Sequence, residues 1–137
     1  MPTRSSGFTL IELLVVVAVI GILSTIGLVQ YQGYVSGTKL KSAKNAMQQI
    51  LLAQTEELSN TGKYWDNDAD DKDNCVPDAG TSKAIEDALF GGGDIITTDM
   101  GYDMCIYKDD DNAYRIVAKS GDKEIVLTHN GIYDPED

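Results

Sequence analysis

A predominantly apolar segment, residues 8–29, lies near the start of the chain and is followed by a mostly polar sequence. At about 1.5 Å of rise per residue, a helix over these 22 residues would be about 33 Å long, close to the thickness of a bilayer core. Glu12 is the only charged residue in the segment. The pattern predicts a transmembrane helix that carries one carboxylate near its beginning.

A second helical pattern follows directly, in residues 30–60. Apolar residues recur there at steps of three and four, which places them on one face of a helix. The predicted face consists of Leu40, Ala43, Met47, Ile50, Leu51, Gln54 and Leu58. Asn60, Thr61 and Gly62 then form a helix stop signal. We therefore expect one long helix over residues 8–60, hydrophobic in its first half and amphipathic in its second half.

Residues 61–137 are expected to form a small globular head. Its predicted elements are a polar loop, a short helix at residues 81–90 that ends at three glycines, and strands at residues 102–108, 113–119 and 123–129. The turns between these strands are short, so neighbouring strands should be antiparallel. The predicted fold class is α+β, with the long N-terminal helix packed on a small antiparallel β-sheet.

Charge is distributed unevenly along the chain. The formal net charge at pH 7 is −11, and only Arg4 and Glu12 among the charged residues precede residue 30. The head therefore carries the whole excess of acids. Such a surface repels phosphate backbones, so we expect no direct nucleic-acid binding.

Two cysteines, Cys75 and Cys105, both lie in the polar part of the chain. An even pair in a chain with an export signal predicts one disulfide. The bond would close a loop of about 30 residues and stabilise the small head by roughly 3–4 kcal/mol on the chain-entropy model. Two free buried thiols are the alternative.

Glu12 requires a positive partner, because an ionised carboxylate within hydrocarbon costs on the order of 2.5–3.5 kcal/mol. Cleavage of the chain after Gly7 would give Phe8 a protonated α-amine four residues before Glu12. The two groups could pair within one chain or between neighbouring, axially staggered chains. The alternative is an ordinary signal anchor whose acid is tolerated near the cytoplasmic end of the helix.

The segment RSSGFTLIE, from Arg4 to Glu12, and the apolar run after it resemble the class III signal of type IV prepilins and type II secretion pseudopilins. The shared elements are a short basic leader, Gly7 before the cleavage site, Phe8 after it, and Glu12. The resemblance implies that a membrane-embedded prepilin peptidase removes residues 1–7 and N-methylates Phe8. It also implies the pilin fold, and an assembly role in which Glu12 neutralises the amine of Phe8 on the adjacent subunit.

The resemblance further implies a structural subunit of an extracellular helical filament, a type IV pilus that serves adhesion, motility or DNA uptake. The expected partners are further copies of the chain and the pilus assembly machinery of the inner (cytoplasmic) membrane, where the subunit resides before assembly. Two alternatives stay open: a type II secretion pseudopilin in a periplasmic pseudopilus, and a membrane-anchored module whose acidic head binds a cation or a basic partner.

The expected orientation, with a cytoplasmic N-terminus, follows from the resemblance and not from the charges that flank the apolar segment. Arg4 precedes the segment, whereas three lysines follow it on the other side: Lys39, Lys41 and Lys44. The positive-inside rule alone does not favour this orientation.

An acidic run in the head contains the candidate metal ligands of the sequence. Asp66, Asp68 and Asp70 have the one-three-five spacing of a calcium loop. Asp71 stands where that loop requires glycine, and Pro77 stands where it requires a bidentate glutamate, so the segment is not an EF-hand. We expect no cofactor, with calcium binding as the alternative to a solvated acidic loop.

The sequence does not predict an enzyme. His129 is the only histidine, and a single histidine at the end of a strand is usually structural. With Cys75 and Cys105 bonded to each other, no Cys-His pair can be assembled around it. Phosphate-binding loops, CxxC and HExxH motifs are also absent from the sequence.

Overall fold

The computed structural model describes residues 7–110 and 112–134. Within them the chain forms α1 (Leu10–Thr61), α2 (Ala79–Leu89), a short 3-10 turn (Thr98–Met100), β1 (Asp103–Asp110), β2 (Ala113–Ser120) and β3 (Lys123–Thr128). The α+β fold class predicted from the sequence is confirmed, and the predicted elements agree with the structure to within about two residues at most ends. The chain divides into two compact units, Met1–Gly37 and Thr38–Asp137.

In the first unit, the apolar residues of α1 from Leu10 to Val29 are exposed. Residues 7–34 are all exposed, and α1 is long and apolar enough to cross a membrane by length and composition. Those two criteria alone would also select a signal sequence. Two hydroxyl groups in the apolar segment donate to the helix's own carbonyls, Ser24 to Ile20 at 2.6 Å and Thr25 to Ile22 at 2.7 Å. The segment thus satisfies these polar side chains internally, as a helix in lipid requires.

In the second unit, the last part of α1 supplies one side of the core of the head. Its buried residues are Ala43, Ala46, Met47, Ile50 and Gln54. Four of these lie on the predicted face, Leu40 and Leu51 pack partly against the same core, and Ala46 was missed. Leu58, which the periodicity assigned to this face, is instead 36% exposed. It lies in the last turn of α1, beyond the buried residues.

The three strands form an antiparallel meander in the order β1-β2-β3, as predicted. One face of the sheet contributes to the main core, with Met104, Ile106, Tyr114, Ile116, Ala118, Ile125 and Leu127. The other face carries a second buried cluster that includes Cys105, Val117 and Val126. These three residues are register partners across the sheet. The sheet is therefore buried on both faces, although it belongs to a small head.

Helix α2 begins with a capping box between Asp78 and Thr81. The Thr81 N–H donates to the Asp78 carboxylate at 2.7 Å, and the Asp78 N–H donates to the Thr81 hydroxyl at 2.9 Å. This cap explains why α2 starts two residues before the predicted helix. The buried residues of α2 are Ser82 and Ile85, whereas Ala88 is exposed.

Candidate functional site

The start of α1 is organised by a reciprocal pair of hydrogen bonds between Thr9 and Glu12. The Thr9 N–H donates to Glu12 Oε2 at 3.2 Å, and the Glu12 N–H donates to Thr9 Oγ1 at 3.2 Å. This is a capping box, which satisfies backbone donors that the first turn of a helix leaves unpaired. The carboxylate also lies at the positive end of the helix dipole. Glu12 therefore has a local partner that the sequence reasoning missed, although the Thr-x-x-Glu spacing indicated it.

The Gly7–Phe8 peptide bond lies immediately before this helix start. Gly7 is exposed, and the Phe8 side chain is 80% exposed. A Cβ atom added to Gly7 would meet no heavy atom within 4 Å. Both residues are thus accessible to a processing enzyme. Of the predicted leader, only Gly7 lies within the described residues.

Exposed apolar side chains continue from the helix start along the first half of α1. They include Leu10, 82% exposed, Ile11, 72% exposed, and Val29, 73% exposed. A contiguous apolar surface on this scale is far larger than water-soluble monomers present, so it requires lipid or protein to cover it. The structure thus combines an accessible peptide bond, a capped carboxylate and an uncovered apolar helix at one end of the chain.

Cys75 and Cys105 form the disulfide that the sequence predicted. Their Cα atoms are 5.8 Å apart, and the two residues are 3% and 1% exposed. The bond connects the acidic loop to β1 from within the second buried cluster. It is therefore shielded from solvent on both sides.

The three predicted calcium ligands lie in this acidic loop. Asp66 Oδ1 accepts a hydrogen bond from the Asp68 N–H at 2.7 Å, and Asp68 adopts a left-handed conformation with φ of 57°. Among residues 7–110 and 112–134, no group of three metal-ligating side chains is placed to hold an ion. The geometry adds no support for calcium at Asp66, Asp68 and Asp70, and calcium binding stays a prediction.

Tyr114, His129 and Arg115 have structural contacts in the head. Tyr114 is buried and packs edge-on against Tyr64, with ring centroids 4.6 Å apart, and His129 lies 6.2 Å from the Tyr114 ring. Burial raises the pKa of the Tyr114 hydroxyl well above its ordinary value. Arg115 pairs with Asp109 and Asp134, and the hydrogen bond with Asp109 raises the pKa of the guanidinium. These contacts fix the sheet and the segment that follows it.

The comparisons with known proteins match the N-terminal site. A family model for the prokaryotic N-terminal methylation motif matches residues 2–28, which contain Gly7, Phe8 and Glu12. The chain is thus similar to proteins that carry the prokaryotic N-terminal methylation motif.

Individual relatives point to a more specific class of protein than the motif does. The type IV major pilin protein PilE of Neisseria gonorrhoeae is 35% identical over 86 residues, which cover 63% of this chain and 48% of the relative. A probable minor fimbrial protein of Dichelobacter nodosus is 34% identical over 98 residues, 72% of this chain and 60% of the relative. The type IV major fimbrial protein FimA of the same organism is 42% identical over 53 residues, 39% of this chain and 34% of the relative. These matches, with the fold and the N-terminal motif, support the type IV pilin family for this chain.

The aligned regions cover about half of the length of the first relatives, which leaves the rest of those proteins without a counterpart in the match. No solved structure matches the chain.

Proposed function

We propose that this chain is a structural subunit of a type IV pilus, an extracellular helical filament assembled from many copies. The observation that carries the proposal is the exposed apolar first half of α1, which begins at a capped carboxylate. Relatives named as pilins and fimbrial proteins support it. A structural role explains the site without any catalytic chemistry, so we propose that the chain is not an enzyme.

Before assembly, the apolar half of α1 would lie in the inner membrane. A helix forms its main-chain hydrogen bonds internally, so a bilayer can surround it without leaving N–H or C=O groups unpaired. The prepilin peptidase would cut the exposed peptide bond between Gly7 and Phe8 and methylate the new amine. The acidic head would remain on the far side of the membrane, where oxidising conditions allow the Cys75–Cys105 bond.

During assembly the helix would exchange lipid for the helices of neighbouring subunits. Lipid chains and leucine side chains are similarly apolar, so this exchange gains little hydrophobic free energy. A polar contact that forms only between subunits therefore has a large influence on the free energy of assembly. Glu12 and the amine of Phe8 on the adjacent subunit would form that contact.

The capping box is compatible with this intersubunit pair. Glu12 uses Oε2 to accept from the Thr9 N–H, and within the described part of the chain its Oε1 atom has no hydrogen bond. A carboxylate accepts hydrogen bonds on both oxygens, so the amine could bind while the cap stays intact. Because the contact joins two different surfaces of the subunit, it propagates as an open helix and not as a closed ring.

Mass spectrometry of the mature protein, together with electron microscopy of the cell surface, tests the proposal. We expect a chain that starts at N-methylated Phe8 and long surface filaments that contain it. A chain that keeps its leader would indicate a membrane-anchored module instead. A processed chain found only in short periplasmic assemblies would indicate a pseudopilin, an alternative that the pilin and fimbrial relatives do not favour.

A further inference from the structure

The outer edge of β1 is closed by groups that do not belong to any strand. On the α2 side, the Met104 N–H donates to Ser82 Oγ at 3.0 Å, and the Met104 carbonyl accepts from Thr81 Oγ1 at 2.7 Å. Both acceptor and donor are side chains near the start of α2. This helix therefore provides hydrogen-bond partners for both main-chain groups of Met104, in the first part of the edge.

The acidic loop satisfies the next part of the same edge. The Ile106 N–H donates to Asn67 Oδ1 at 2.7 Å, and the Ile106 carbonyl accepts from the Asn67 N–H at 2.9 Å. The Lys108 N–H donates to the Ala69 carbonyl at 2.8 Å. Met104, Ile106 and Lys108 alternate along β1, and their main-chain N–H groups point away from β2. All three are thus paired within the subunit, two of them by the loop.

The loop also covers the second face of the sheet. Ala69 and Cys75 are both 3% exposed and belong to the cluster that includes Val117 and Val126. Beyond the disulfide, the loop contacts β3 through an ion pair between Lys72 and Glu124 at 2.5 Å. We name residues 66–75 the edge cover, because they occupy both the edge of β1 and the adjoining face.

The composition of the edge cover does not favour its attachment to the sheet. Its ten residues include five aspartates, Asp66, Asp68, Asp70, Asp71 and Asp73, and only Ala69 and Cys75 are buried. Neighbouring carboxylates repel one another, and so small an apolar area gives little hydrophobic stabilisation. The ion pair of Lys72 with Glu124 is partly exposed to solvent, and such pairs contribute little. Of the contacts between the edge cover and the sheet, the covalent disulfide is therefore the strongest.

We propose that the Cys75–Cys105 bond acts as a clamp that keeps the edge cover on β1, so that this edge stays closed to water and to other strands. An edge strand with unpaired main-chain groups is a template for pairing with another chain. Without the clamp, the edge cover detaches from Ile106 and Lys108 while the rest of the sheet stays folded. The clamp thus separates two states of the subunit, one with a closed edge and one with an open edge.

Amide hydrogen exchange of the full mature chain in detergent, measured by NMR, tests this clamp. In the double variant Cys75→Ala, Cys105→Ala, we expect exchange to become about tenfold faster or more at Ile106 and Lys108, because local opening replaces global unfolding as their route. Met104 should accelerate by a smaller factor than Ile106 and Lys108, since α2 and not the edge cover pairs its N–H. The core variant Ile125→Val is the control for general destabilisation, in which the three amides should change in parallel.

Asn67→Ala separates the clamp from the individual hydrogen bonds. This variant removes the acceptor of the Ile106 N–H but leaves the disulfide and the Ala69 carbonyl in place, so exchange should rise at Ile106 and not at Lys108. The proposal is overturned if loss of the disulfide leaves Lys108 as protected as in the native chain. It is equally overturned if Met104, Ile106 and Lys108 accelerate by the same factor in the double variant.

Discussion

At the scale of single residues, Glu12 combines two roles that have different partners. Within the subunit it caps α1 through Thr9, and this contact stabilises the helix start by about 0.5–2 kcal/mol. Between subunits, as proposed above, it meets an amine. The two roles can be separated, because Thr9 takes part only in the first.

Glu12→Ala should leave cleavage after Gly7 intact and reduce surface filaments by about tenfold or more, the effect of losing roughly 1.4 kcal/mol of subunit attachment. Electron microscopy and quantitative immunoblotting of sheared filaments measure this loss. Thr9→Ala is the matched control, since it removes the capping hydroxyl and keeps the carboxylate, and it should retain most filaments. Normal filaments from Glu12→Ala cells would refute the pairing role.

Gly7→Ala should block removal of the leader. The structure offers open space for a Cβ atom at Gly7, so a defect would report recognition by the peptidase and not misfolding. Mass spectrometry of the membrane fraction distinguishes the processed and unprocessed chains. Gly21→Ala introduces the same methyl group into similarly open space within the helix and should be processed normally. Efficient cleavage of the Gly7 variant would contradict the proposed site.

At the scale of elements, one buried side chain joins the end of α1 to the loop that follows. Gln54 is fully buried and pairs with both main-chain groups of Trp65: its Nε2 donates to the carbonyl at 2.6 Å, and its Oε1 accepts from the N–H at 2.8 Å. The side-chain amide of Gln54 thus forms the two hydrogen bonds that the main chain of a neighbouring strand would form in a sheet. The sequence assigned it only to an apolar face.

Gln54→Leu should destabilise the head by about 1–3 kcal/mol, because it leaves the two main-chain groups of Trp65 without their partner at a part-buried site. Denaturant unfolding of the mature chain in detergent, followed by tryptophan fluorescence, measures the change. Gln49→Leu is the control on an exposed position of the same helix and should change stability by less than about 0.5 kcal/mol. Equal effects of the two variants would argue against a structural role for Gln54.

The sheet should lose stability at alkaline pH through Tyr114. Burial raises the pKa of this tyrosine above its ordinary value of 10.0, so the folded state holds the proton more tightly than the unfolded state does. The corresponding stability is fully present below pH 10 and is lost as the pH rises above that value. Tyr114→Phe should flatten the stability profile above pH 10, whereas Tyr31→Phe, at an exposed site, should leave it unchanged. Circular dichroism during unfolding at pH 8 and at pH values above 10 distinguishes the two profiles.

At the scale of the whole molecule, charge and apolar surface are separated along the chain. The first half of α1 is exposed and apolar, whereas the head carries an excess of acids that gives the chain a net charge of −11. In the proposed filament, the apolar half would associate in the core. The like-charged heads would repel one another at the filament surface, and this repulsion would keep separate filaments apart.

Purified filaments should therefore stay dispersed at pH 7 and associate laterally near pH 4.3, the isoelectric point of the sequence. Protonation of head carboxylates removes the repulsion. Light scattering and electron microscopy across this pH range measure bundling. Raised salt at pH 7 serves as a second test, because it screens the same repulsion and should act in the same direction. Filaments that remain dispersed at pH 4.3 would show that head charge does not control bundling.

The sequence by itself determined the elements and the class of protein. The periodicity of α1, the turn signals between β1, β2 and β3, and the segment around Gly7, Phe8 and Glu12 all depend on residues close together in the chain. Local spacing specifies such features, because helices, short turns and processing motifs form within a few residues. The antiparallel meander followed from the short turns alone.

Only the tertiary structure showed how both faces and the outer edge of the sheet are covered. Val117 shares its face of β2 with the polar residues Arg115 and Lys119, yet it is buried, because the acidic edge cover folds across that face. The partners of Asn67 and Gln54 were equally hidden from the sequence. An aspartate-rich loop carries no local signal for docking. Its position follows from a covalent bond and from hydrogen bonds to residues of β1 that lie 30 to 39 residues further along the chain.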